Sequence, residues 1–183
     1  MTLSTRSIVV AGLMIAVATV LAVTGLGYFP VANITAEATI MHVPSIIGGV
    51  LEGPVVGLIV GIIFGINAYI RFVGLPFFAD QPAWVPVLVL LVPRLLIGVV
   101  AALVYVGLRR TNEVVALALA AMLGTLTNTV LVLGFAVMLG LLPAAVFAAA
   151  APQALFEMIL AAVITVAVVV AWKRIDTGRG SSV

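Results

Sequence analysis

The chain has 183 residues, 65% of them hydrophobic and 8% charged, with a formal net charge of +2. Soluble domains carry about 25% charged residues, so this composition belongs in a membrane, and the high pI reflects scarce charge rather than a basic face for nucleic acid. There is no cysteine, and His42 is the only histidine; disulfides, thiolate chemistry and His-rich metal sites are excluded, and no metal or cofactor is expected.

A membrane-spanning helix needs about 20 residues at 1.5 Å rise each. The N-terminal stretch, with Arg6 ahead of an apolar run, has the look of a signal-peptide n-region. It runs on without a convincing cleavage site and reads as a retained first span, about 7–28, closed by Phe29-Pro30. A loop with Asn33, Thr35 and Glu37 follows. The second segment, 38–51, is about 21 Å long, shorter than the bilayer core, and is broken by Glu52-Gly53-Pro54. Pro54 suits the first turn of a third span, 54–72. A loop with Pro76, Asp80 and Pro82 leads to a fourth span, 84–108, with an internal Pro93-Arg94. The connector Arg109-Arg110-Thr111-Asn112-Glu113 precedes a long uncharged stretch, which Gly140, Pro143 and Pro152 divide into spans 114–139 and 152–172. The segment between them could lie as a short helix at the interface.

The expected fold is therefore all-α: one integral membrane domain over 1–183, with six transmembrane helices of which the second is short. Five crossings result if segments two and three form a re-entrant pair. With the N-terminus inside, Arg6, Arg109, Arg110, Lys173, Arg174 and Arg179 are cytoplasmic, only Arg71 is outside, and Arg94 lies within a span. Both termini are thus expected in the cytoplasm of a cell-membrane protein.

Between His42 and Arg71, glycine recurs every fourth residue, at Gly49, Gly53, Gly57, Gly61 and Gly65. Such a row lets a neighbouring helix approach backbone to backbone, as small residues do in lipid. In water each glycine would cost a helix about 1 kcal/mol relative to alanine.

A charge inside a span costs at least about 2.5 kcal/mol and needs a partner or a wet cavity. His42, Asn67, Arg94, Asn128 and Glu157 all fall in the middle or outer half of the membrane, whereas the inner half of every span is nearly pure aliphatic. A truncated second helix leaves a hollow opening outward, roofed by the loop from Phe29 to Met41, and these five side chains are its expected furnishing. Arg94 offers a planar fork for a substrate carboxylate or carbonyl, or else a structural pair with Glu157. Asn128, with Thr125 and Thr127, offers donors and acceptors, or only a helix–helix bond. Trp84, Phe77 and Phe78 are expected in the aromatic belt. No GxxxxGK[ST], HExxH or GxSxG occurs, so the chain has no P-loop and no nameable catalytic set.

The segments MHVPSIIGGVLEGPVVGLIVGIIFG, PRLLIG, TNTVLVLG and FEMILAAVIT together resemble the substrate-binding S component of energy-coupling factor vitamin transporters. The resemblance covers nearly the whole chain and is strongest to the pantothenate and folate-like group. It implies a six-helix subunit that binds a vitamin from outside without being an enzyme. It also implies association with a transmembrane T component and two cytoplasmic ATPases, and delivery of the vitamin by toppling in the lipid. The family's first helix carries an AxxxA motif that contacts the T component; here Ala18-xxx-Ala22 matches it literally and Gly12-xxx-Ala16 with glycine in the first place. One buried arginine, one amide and one carboxylate suit pantothenate, and an apparent lack of aromatic residues around them speaks against a flat ring such as folate. The opposing reading is a structural membrane subunit whose buried polar groups only glue helices.

Overall fold

The computed structural model describes residues 3–30 and 37–178; the expectations for Asn33, Thr35 and Arg179 lie outside them. Helix α1 (Thr5–Thr24) is capped by Ser4, which accepts from the Ser7 amide, and ends at Gly25, whose φ of 74° only glycine adopts freely. A short antiparallel hairpin follows, β1 (Tyr28–Pro30) against β2 (Glu37–Thr39), with Tyr28 opposite Thr39. Then come α2 (Val43–Glu52), α3 (Pro54–Phe72), α4 (Trp84–Leu90), α5 (Val92–Leu108), α6 (Glu113–Met138) and α7 (Val146–Gly178). Counting α4 and α5 as one broken span, five helices among the described residues are long and apolar enough to cross a membrane, and α2 is a shorter sixth. The outward faces are apolar, with Val23, Ile70, Leu103 and Val163 all exposed, which fits lipid as their surroundings.

Helix α2 is the centre of the bundle. Every residue from Val43 to Val50 is buried, and it packs against α1, α3, α5, α6 and α7. A helix apolar on all sides has to be enclosed this way. It is shorter than expected: the segment thought to begin at Ala38 starts as strand β2, and helix begins only at Val43. The hairpin takes up residues 37–39, and Pro44 fixes the first helical turn.

The glycine row works as a seam, with one correction. A Cβ on Gly49, Gly57 or Gly61 would sit 2.2, 2.6 or 2.5 Å from backbone atoms of Gly98 or Arg94. Gly53 is not in that row. It is the break between α2 and α3, with φ 93°, a left-handed backbone that suits glycine alone. Ser45 Oγ, which also faces Gly98, donates to the Gly57 carbonyl across 2.8 Å.

Two other spans depart from expectation. The fourth is broken at Leu91 into α4 and α5, because Pro93 cannot donate to the ladder. The sixth begins at Val146 rather than Pro152, and Pro152 is accommodated inside α7; of the segment 141–151 that could have lain at the interface, residues 146–151 are its first turns. At the end of the bundle opposite the hairpin, Glu52 accepts from Arg6 Nε and Ser7 Oγ, both at 2.8 Å. At the same end Lys173 pairs with Glu113, whose carboxylate also accepts from the Tyr105 hydroxyl. Both clusters join helices to one another.

Candidate functional site

A cavity of about 500 Å³ lies at the hairpin end, walled by α3, α4, α5, α6 and α7. Arg94, Asn128 and Glu157, from three different helices, all line it. They are only 7%, 7% and 4% exposed.

Arg94 is placed by the helix break. A helical residue 93 would donate its N–H to the carbonyl of Val89, and proline has none. Arg94 Nη1 takes that carbonyl instead, at 2.9 Å. Its Nε is buried with no hydrogen-bond partner among the described residues, and its guanidinium lies 5.7 Å from the Phe64 ring centroid. One corner of the fork is therefore anchored to the backbone, and another donor has nothing to donate to.

Asn128 Oδ1 is likewise buried without a partner among the described residues. The two threonines expected to assist it do not: Thr125 and Thr127 return their hydroxyls to Ala121 and Leu123 of their own helix, and Thr129 lines the cavity in their place. Glu157 Oε1 accepts from the Thr39 backbone N–H at 2.8 Å and from Gln153 Nε2 at 3.0 Å.

His42 and Asn67 are not in the cavity wall. His42 is fully buried, and neither ring nitrogen has a partner among the described residues. Asn67 Nδ2 is bonded to Ile63 on its own helix at 2.9 Å, a self-contained arrangement that frees it from needing a pocket.

The aromatic content is the main correction. Tyr28, Phe64, Phe72, Phe77 and Phe78 all line the cavity, so Phe77 and Phe78 are not belt residues, and the expectation of a site poor in aromatics does not hold. Trp84, by contrast, is exposed, as a belt residue would be. Gln153, Thr39 and Arg71 also line the cavity and were not singled out for it. The i, i+4 spacing of Gln153 and Glu157 carried a usable signal. Arg71 was visible as the lone basic residue expected outside, and its guanidinium sits 4.2 Å from the Tyr28 ring centroid.

On α1 the two small-residue pairs face opposite ways. Ala18 is buried in the chain's own core, and Ala22 is half-buried. Gly12 and Ala16 are exposed, with nothing within 4 Å of a Cβ built on Gly12.

No individually curated protein matches the sequence. A model of the family described as "ECF transporter, substrate-specific component" matches residues 6–169. Members of that family are multi-pass membrane subunits that bind a substrate, pair with a T component and ATPases, and are not themselves enzymes. The chain, with its five long apolar helices, its short buried α2 and the family match over most of its length, belongs to the substrate-specific components of ECF transporters.

Proposed function

We propose that the cavity binds a small vitamin bearing a carboxylate, taken from the outer face, and that pantothenate is the best match. The observation that carries this is the state of Arg94: Nη1 is held by Val89, and Nε is buried and unpartnered beside a cavity. A carboxylate on the open edge of the fork satisfies that donor with two charge-assisted bonds. Asn128 and Glu157 then accept from hydroxyl or amide groups of the same ligand, while the apolar wall receives its aliphatic part. His42, outside the wall, is buried at the start of α2. The exposed Gly12 and Ala16 are the pair that meets the T component, and two ATPases supply the hydrolysis this chain has no motif for.

A second reading has its own support. Five aromatic side chains in the wall suit a flat-ring vitamin such as folate, by stacking. Binding to the purified chain in lipid nanodiscs, without ATP, separates these readings. Saturable pantothenate binding that folate does not displace supports the first, and the reverse result supports the second. If no member of a vitamin panel binds or raises the melting temperature, the vitamin reading falls and the substrate of this component belongs to another chemical class.

A further inference from the structure

We propose that Glu157 is the positioning residue that ties the β1–β2 hairpin over the cavity and links that closure to occupancy. This rests on the ligand-binding reading above for its second half only.

The hairpin has strands of three residues each, too little to be stable alone. It still contributes Tyr28 and Thr39 to the cavity wall, so something else holds it in place. On the α3 side Arg71 lies over the Tyr28 ring, and Phe72 meets that ring edge-on at 6.4 Å between centroids. Towards α7 the holding group is Glu157, which accepts the Thr39 N–H from 118 residues away in sequence. Among the described residues β2 has no other strand beside it, and Glu157 is the acceptor its Thr39 N–H finds. The base of the hairpin is stiff. Thr39 Oγ1 donates to the Gly27 carbonyl and accepts from the Met41 amide, each at 3.0 Å. A displacement at Thr39 is therefore passed to Gly27 and Met41 at the base of the hairpin.

The two oxygens of Glu157 are used unequally. Oε1 takes both Thr39 and Gln153. Oε2 takes no hydrogen bond from any described residue, and Glu157 belongs to the cavity wall. A nearly buried carboxylate with few donors is poorly satisfied. A ligand hydroxyl or amide N–H donating to Oε2 fixes the rotamer in which Oε1 reaches Thr39. One side chain thereby reads the cavity with one oxygen and holds its cover with the other.

Amide hydrogen exchange of residues 37–41 in the full chain, without ligand, tests the tie. Glu157→Ala should speed exchange at Thr39 by about tenfold or more, as expected for loss of a bond to a charged acceptor. Glu157→Gln keeps an acceptor oxygen and should stay close to wild type. Exchange at Val56–Val60, in the glycine seam, should be unchanged and so reports that the bundle is intact. Glu157→Met, of similar length and without an oxygen, replaces the alanine variant if that one does not fold. Equal exchange at Thr39 in wild type, Ala and Met variants overturns the proposal. The link to occupancy is read with pantothenate as probe: it should slow exchange at Thr39 further in wild type and not in Glu157→Gln. Slowing of equal size in both removes the link and leaves the tie. If pantothenate alters nothing in wild type, that choice of ligand has failed, and the tie is judged on the ligand-free comparison.

Discussion

Arg94 Nη1 donates to the Val89 carbonyl across 2.9 Å, a bond that exists because Pro93 cannot make it. The break between α4 and α5 and the orientation of the buried guanidinium are thus one feature, as in other membrane sites built at interrupted helices. Restoring the helical donor should undo both. Pro93→Ala is expected to hold or raise thermal stability, since alanine restores the N–H that the Val89 carbonyl lacks. Ligand affinity should fall by about tenfold as the anchored corner of the fork is released. Melting curves and equilibrium binding on the same preparation check this. Affinity unchanged or improved would show that the Val89 bond does not orient Arg94.

Replacing Arg94 by lysine keeps the charge and loses the fork. A lysine cannot hold the Val89 carbonyl and present two further donors to a carboxylate. Arg94→Lys should therefore weaken binding by about a hundredfold, the loss of a charge-assisted bond with its partner left buried. Asn128→Leu should weaken it less, by about tenfold, because one neutral contact is lost. Binding measured in detergent and in nanodiscs should agree. If Lys and Arg bind alike at residue 94, the planar fork is not what receives the ligand.

The short second helix and the gathering of Arg94, Asn128 and Glu157 around one cavity were legible because burying charge in lipid is expensive and few residues are polar. Depth along a helix follows from residue count alone. Rotation around the axis does not, and that is why Asn67, at the right depth, turns out bonded to its own backbone. The loop residues Phe77 and Phe78 carried no periodicity, so their inward turn into the cavity left no trace in the pattern. Pro93 was visible as a local interruption, but the carbonyl it strands and the side chain that answers it became apparent only with both in place.

The glycine seam should discriminate sharply among its members. A methyl at Gly61 would meet the Arg94 carbonyl at 2.5 Å, and one at Gly57 would meet Gly98 backbone at 2.6 Å. At Gly65 the nearest atom is a Leu91 side-chain carbon at the end of a flexible chain. Gly57→Ala and Gly61→Ala should each cost about 2 kcal/mol, as backbone-shifting overpacking does, and Gly61→Ala should also weaken ligand binding by displacing Arg94. Gly65→Ala should be nearly neutral, since Leu91 can move aside. Thermal unfolding of the three variants in one detergent gives the order, and a Gly65 variant as damaged as the other two would contradict this account of the seam.

The cluster of Lys173, Glu113 and Tyr105 looks strong by geometry, and exposure argues that it is worth little. The two charged side chains are 40% and 47% exposed, and such pairs contribute about 0–1 kcal/mol because water screens them. Lys173→Met should lower stability by less than about 1 kcal/mol and leave ligand affinity unchanged, the cavity being at the other end of the bundle. A larger loss would mean that this clamp, rather than packing, holds the end of α7.

The first helix separates assembly from folding. Ala18 is fully buried, so Ala18→Leu forces a larger side chain into a packed core and should cost about 1–3 kcal/mol. Gly12 and Ala16 face outward, and leucine there meets only lipid in the isolated chain. Gly12→Leu combined with Ala16→Leu should leave melting temperature and ligand binding unchanged while preventing co-purification with the T component and ATPases, because bulk on that face keeps another helix from close approach. The decisive comparison is between the two kinds of variant in the same co-expression. If Gly12→Leu/Ala16→Leu still assembles fully, the partner approaches another face of the bundle, and the exposed small pair on α1 is an ordinary lipid-facing surface.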